Sequence, residues 1–147
     1  MYAICYLKAS MARHPRFEFL EHMADIKFVA RGATPAAVFE AASLAVSQYV
    51  ASGAKVKEKL ITHISVSGSD YESLLYAYLD ELLYLMDAEG FLVARSEVQI
   101  ANMTATAILW GDATKEYTVQ QVKAATYAEM YLKETMKGWE AQVVLDV

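Results

Sequence analysis

The chain is poor in the residues that cross-link or interrupt small proteins. Its single cysteine, Cys5, excludes an intramolecular disulfide and leads us to expect a reducing compartment and a cytoplasmic location. Two prolines and six glycines in 147 residues leave no Pro- or Gly-rich linker at which to divide the chain, and the length suits one domain with a real core. The three histidines, His14, His22 and His63, are scattered without the spacing of a zinc site. Basic residues are outnumbered 13 to 18, a net charge of −5, so no broad cationic footprint points to direct nucleic-acid binding. Any contact with RNA is expected to run through a partner. No apolar run is long enough to span a bilayer, so no membrane association is expected. Walker loops, dinucleotide fingerprints, internal repeats and low-complexity tracts are all missing, and Cys5 has no local partner that would mark a nucleophile. The opening decapeptide MYAICYLKAS lacks the basic start and cleavage pattern of a signal peptide, and Met11 follows closely. Residues 1–15 are therefore expected to be a dispensable extension, and residues 16–147 the folded domain.

What is present is strong periodicity. After the aromatic run FEFLEHMAD, Ile26, Phe28 and Ala30 alternate with Lys27, Val29 and Arg31, which predicts a strand with Ile26 and Phe28 facing the core. Thr34-Pro35 reads as a helix start, and Val38, Phe39, Ala42, Ala45, Val46 and Tyr49 form one apolar helical face ending at Ser52-Gly53. Residues 55–68 read as one long or bent strand. The spacing Ser69-x-x-Glu72 places a second helix start at Ser69, and its many leucines predict that this helix is the more buried of the two. Gly90 stops it. Residues 91–100 and 103–110 then read as a hairpin around Ala101-Asn102, 111–117 as a polar loop, and 121–133 with 139–147 as a last strand pair. Two helices followed by a run of strands with short connections give an α+β domain, the helices packed on a mainly antiparallel sheet.

Three polar positions stand out from these elements. Asp25 opens the first core strand with the parity of Lys27, pointing away from Ile26. It is placed either to gather a cation or to form a turn, and for a lone Asp the turn is the stronger reading. Asp146 is penultimate on an apolar alternating strand. With the carboxylate of Val147 it offers adjacent oxygen donors suited to a hard cation such as Ca²⁺; the bland alternative is a frayed, solvated tail. Lys123 interrupts the largely apolar run QVKAATY, where a solvent-facing strand lysine is the simpler account. Tyr71, Tyr76, Tyr78 and Tyr84 mark a helix that is core and interface, and Asp80, Glu81, Asp87 and Glu89 its solvated edge.

Four segments in order, FEFLEHMADI, YLDELLYLMDAEGF, VKAATYAEM and AQVVLDV, resemble the archease family and together span nearly everything from Phe17 to Val147. The resemblance implies an accessory protein of an RtcB-type RNA ligase in tRNA splicing, one that promotes ligase guanylylation and multiple turnover without being an enzyme itself. It carries the family's metal-binding Asp of H-T-A-D onto Asp25 and the C-terminal metal-binding Asp onto Asp146, with an oxygen of Val147 as a further ligand of a divalent metal, Ca²⁺. The family's functional Lys of V-K-A falls on Lys123, as a phosphate contact or as charge balance between the two carboxylates. Met23 replaces the family's usual Thr, and Ala128 stands where many relatives have His, so no metal role is assigned there. Two other classes are weighed against this reading. One is a chaperone or modulator of RNA-modifying enzymes such as a tRNA methyltransferase. The other is a metal-dependent hydrolase, which two aspartates and a lysine leave without an evident nucleophile or base.

Overall fold

A computed structural model describes residues 16–21 and 24–147. The expectation that residues 1–15 form a dispensable extension falls outside the described residues, as do Cys5, His14, His22 and Met23.

The elements run β1 (Arg16–Leu20), β2 (Ile26–Gly32), α1 (Pro35–Val50), β3 (Leu60–Ser67), α2 (Tyr71–Glu89), β4 (Phe91–Ala101), β5 (Thr104–Ala113), a 3₁₀ turn (Thr114–Glu116), β6 (Ala124–Thr135) and β7 (Gly138–Asp146). They make two sheets rather than the single one expected. The first has the order β1-β2-β7-β6 and the second β3-β5-β4. Every described strand pairing is antiparallel. Each helix touches strands of both sheets, and one continuous apolar cluster joins all of them.

Local chemistry sets the boundaries. Thr34 caps α1 by accepting the Ala37 N–H at 3.1 Å, with Pro35 just inside, as the sequence predicts. The second helix starts one residue later than predicted. Asp70 is its cap, accepting the Ser73 N–H at 2.8 Å while the Ser73 hydroxyl accepts the Asp70 N–H at 3.1 Å, so a serine does the work assigned to Glu72. Gly90 ends this helix at φ +64, a left-handed cap that favours glycine.

The expected strand over 55–68 begins only at Leu60. Before it the chain runs irregularly, with Val56 buried and the Lys57 N–H donating to the Tyr117 hydroxyl at 2.8 Å. The β4–β5 turn sits on Asn102-Met103, both at positive φ, one residue beyond the predicted pair. β5 also continues into the stretch read as a loop. There Gly111 lies so close to β4 that an added Cβ would stand 2.1 Å from the Leu92 carbonyl oxygen.

Burial overturns one expectation. Leu75, Leu79 and Leu82 are buried, yet α1 buries ten of its 16 residues and α2 only seven of 19. The reason is size: alanines and serines let α1 approach strands on several sides at once, whereas α2 keeps Tyr84, Asp80 and Asp87 in solvent.

Candidate functional site at the end of the first sheet

Phe28 and Ala30 of β2 are fully buried, and they fix which face of the strand points inward. Ile26, the first residue of β2, pairs with Leu145 of β7. Asp25 and Asp146 each stand one residue beyond that pair on neighbouring strands, sharing the parity of Lys27 and Val144. Asp25 is a half-buried bend residue and lies just outside the ladder. Asp146, exposed, closes β7 opposite Ala124, and its carbonyl accepts the Lys123 N–H at 2.8 Å. Three sequence-predicted residues, Asp25, Lys123 and Asp146, are thus drawn to one end of one sheet.

Apolar neighbours hold that end in place. Val122, Ala125 and Leu145 are almost wholly buried and Ile26 packs against the same cluster, so the polar residues beside them are carried at the surface on anchored backbone. Val147 packs half-buried against the core, which decides against a frayed tail. The donor set is oxygen only and suits a hard cation better than zinc. Two carboxylates fall short of the six to eight oxygens that calcium takes. Among the described residues, no three of His, Cys, Asp or Glu converge to hold a metal.

The face that Asp25 and Asp146 share by parity carries a ladder of paired charges. Lys27 Nζ lies 3.0 Å from the Glu129 carboxylate. Further along, Arg31 reaches Glu140 at 3.1 Å and Glu18 at 3.2 Å, and the Tyr131 hydroxyl donates to Glu140 at 2.5 Å. Burial and the adjoining Glu140 push the Tyr131 phenol up to about 12. The hydrogen bond from Tyr131 and the Arg31 guanidinium in turn hold the Glu140 carboxyl below its usual range.

Several polar groups escaped the sequence reading. Ser43, Tyr78 and Ser96 form a closed buried triangle with edges of 2.6, 2.9 and 3.0 Å. The Phe39 carbonyl, 3.2 Å from the Ser43 hydroxyl, is an alternative acceptor for that hydroxyl's single proton. Burial pushes the Tyr78 phenol up to about 12, which keeps it a neutral donor. The available signal was position: Ser43 lies four residues after Phe39 and three before Val46, on the apolar stripe of α1. Asp112, also buried, accepts from Tyr117 at 2.7 Å and locks the loop after β5.

A groove of about 780 Å³ opens elsewhere, on the second sheet, lined by Glu40, His63, Glu97 and Ile108 among others. None of Asp25, Lys123 and Asp146 lines it. His63 and Glu97 pair with opposite sides of Ile108, a strand apart from each other, and so form no acid–base dyad. Glu40 accepts the Val98 N–H at 2.9 Å, and burial raises its carboxyl above the usual range.

With this arrangement in view, the likenesses to known proteins are specific. Residues 17–147 match the archease protein family (MTH1598/TM1083). "Protein archease" of Pyrococcus furiosus is 37% identical over 140 residues, covering 90% of this chain and 99% of that protein. The protein of the same name from Methanosarcina acetivorans is 34% identical over 143 residues, covering 90% and 96%. Among solved structures, the solution structure of Methanobacterium thermoautotrophicum protein 1598 superposes with a TM-score of 0.73 at 29% identity, over 89% of this chain and 98% of the other. A crystal structure from Thermotoga maritima, described as "an archease, possible chaperone", shares the fold with a TM-score of 0.60 at 15% identity, over 87% and 94%. Strand end, helix pair and family match run over the same residues, and the chain belongs to the archease family.

Proposed function

We propose that this protein is an accessory activator of an RtcB-type RNA ligase in tRNA splicing, promoting guanylylation of the ligase and its multiple turnover. The observation that supports this reading is the meeting of Asp25, Asp146 and Lys123 at one exposed sheet end, in a member of the archease family. Asp25 and Asp146, with an oxygen of Val147, hold a divalent cation, Ca²⁺. Water and the ligase complete its shell, because the chain's own donors are too few. The cation supplies positive charge beside nucleotide phosphates, where positioning and charge neutralisation dominate phosphoryl-transfer chemistry. Lys123 contacts phosphate or offsets the paired carboxylates. tRNA is met only through the ligase, in keeping with a net charge of −5 and a cytoplasmic location. Among the described residues no helix is long and apolar enough to cross a membrane.

Multiple-turnover RNA ligation by the matching ligase, with and without this protein, tests the reading. A rise in turnover is expected, and no rise would refute it. The same assay on a chain lacking residues 1–15 is expected to show full activation.

The second reading is a chaperone or modulator of RNA-modifying enzymes; the Thermotoga maritima protein of the same fold is described as a possible chaperone. Co-purification with a tRNA methyltransferase in place of a ligase would favour it. Turnover of small phosphoesters by the isolated protein would favour a metal-dependent hydrolase.

A further inference from the structure

Four of the described strands are sheet edges: β1 and β6 in the first sheet, β3 and β4 in the second. An edge presents a row of unpaired N–H and C=O groups, and proteins blunt such rows with charge, brevity, bulges or cover. Three of the four are blunted here. β1 is only five residues long and carries Arg16 and Glu18. β6 is broken: Thr126 pairs with Val144 and Tyr131 with Gln142, so the excursion at 127–130 stands opposite Val143 alone. β4 shifts register between Val93 and Arg95, and the Glu40 carboxylate of α1 takes up its Val98 N–H at 2.9 Å.

β3 has none of these devices. Its sequence, LITHISVS, holds no Lys, Arg, Asp, Glu, Pro or Gly. Its pairing with β5 is unbroken from Leu60–Gly111 to Ser67–Thr104. Five of its eight residues are exposed and only Ile64 is buried; Leu60 and Ile61 are 45% and 60% accessible. Because β5 lies on one side only, alternate N–H and C=O groups of β3 point outward. Among the described residues, no backbone group of a turn, loop or cap bonds to them.

What fits this edge follows from its two ends. Exposed Lys55, Lys57 and Lys59 lead into β3, and the acid among them, Glu58, is taken by Arg95 at 3.1 Å. Exposed Asp70 and half-buried Glu72 follow it, and the cap that Asp70 makes to the neutral Ser73 N–H leaves its charge in place. Two copies of β3 related by a twofold axis run antiparallel, which sets the lysine end of each beside the acidic end of the other. A parallel pairing would set like charges together. The twofold also closes the assembly. Each β3 has one open side, and the joined sheet β4-β5-β3-β3-β5-β4 ends on two guarded β4 edges.

We propose that β3 is a self-association edge, by which two copies of this chain join their second sheets into one antiparallel sheet. Asp25, Lys123 and Asp146 stand at the end of the first sheet, so the pairing uses none of them.

Backbone pairing over eight residues makes a small interface, so a dissociation constant on the order of 10 µM is expected. Sedimentation equilibrium of the full chain over roughly 1 to 200 µM covers that range. The mass should rise from one chain to two and stop there; one chain throughout, or species beyond two, would overturn the proposal. Ile61→Lys gives β3 the edge charge it lacks, at an exposed position, and should weaken association by about tenfold or more with the far-UV spectrum unchanged. Lys59→Glu and Glu72→Lys should each weaken it about tenfold, because the twofold repeats every contact, and their equimolar mixture should recover wild-type association to within about threefold. A mixture no tighter than either single, or Ile61→Lys associating like wild type, would refute antiparallel self-pairing. In hydrogen exchange, the β3 amides should gain protection as the chain is concentrated. Protection that appears only with added ligase would assign the edge to the ligase, and protection independent of concentration but lost with residues 1–15 would assign it to that segment. Either result refutes a second copy as the occupant.

Discussion

Two groups of polar residues in this protein follow opposite rules. Ser43, Tyr78 and Ser96 are buried and satisfy one another completely, and among the described residues no buried side-chain donor or acceptor lacks a partner. Asp146 and Lys123 are carried at the surface by buried neighbours, with Asp25 half-buried next to them, and a backbone hydrogen bond from Lys123 to Asp146 joins two of the strands at this end. A hydrogen-bonded triangle inside a core is closed to solvent and to ligands by burial, so its contribution is to packing specificity. The sheet end instead carries its polar residues beside solvent on anchored backbone, with Asp146 and Lys123 exposed.

The sharpest way to break the comparison is to neutralise one residue from each group. Asp25→Asn and Asp146→Asn should each abolish ligase activation while leaving the melting temperature within a few degrees of wild type. The double mutant should be no worse than either single, because both remove one site. Full activation by both single mutants would end the shared-site reading. On the other side, Tyr78→Ala should cost roughly 3–5 kcal/mol through the cavity it leaves. In a chain of this size that lowers the melting temperature by on the order of 10 °C, measurable by calorimetry. Tyr78→Phe removes only the hydroxyl and leaves Ser43 and Ser96 bonded at 3.0 Å, so about 1 kcal/mol is expected. In both Tyr78 variants the plateau of ligase activation at permissive temperature should hold.

The two groups also differed in how far the sequence disclosed them. The helices were legible because capping and spacing are local: Thr34-Pro35, Gly90 and the stripes of α1 and α2 behave as predicted to within a residue or two. Strand ends were less so. β1 went unread as a strand because RFEFL is short and its pairing partner, β2, lies further along the chain. The division into two sheets is a property of long-range pairing that no local pattern carries. For the candidate site, local pattern singled out the three residues, the family resemblance gave them roles, and the structure adds their meeting at one sheet end. Periodicity alone left Asp25 as a turn, Asp146 at the end of a tied-down strand with no assigned partner, and Lys123 as a surface lysine. The buried triangle was invisible because it joins α1, α2 and β4, and the excursion at 127–130 because the missing partner residues are on β7.

Thr34→Ala probes neither group, and it calibrates what an ordinary local interaction is worth here. It removes the side-chain acceptor for the Ala37 N–H, and about 1 kcal/mol of stability should go with it, with activation unaffected. A loss several times larger would mean that α1 depends on its cap more than on its buried face.

The smallest effects distinguish two carboxylates that sit between the extremes. Glu40 is half-buried, and desolvation is the first cause of its raised pKa, outweighing the hydrogen bond it accepts from the Val98 N–H. Glu140 has a lowered pKa, caused first by the Tyr131 hydrogen bond and then, against some desolvation, by Arg31. The signs are opposite. A carboxyl whose folded pKa is raised contributes stability that is present below its unfolded value, about 4.3, and is lost as pH rises through the folded value. One whose folded pKa is lowered contributes above about 4.3 and loses that contribution as pH falls through the folded value. Relative to wild type, Glu40→Gln should therefore gain melting temperature as pH rises from 4 toward 7, because Gln still offers Val98 an acceptor without a charge to desolvate. Glu140→Gln should be less stable than wild type at pH 7, with the gap closing toward pH 3. Melting curves of the three proteins over that range would check both slopes at once. Parallel curves would mean that neither carboxylate's environment differs between the folded and unfolded chain. Slopes of one sign would mean that the charged face and the edge of β4 obey a single rule, and the distinction between satisfied interior and exposed sheet face would lose its middle ground.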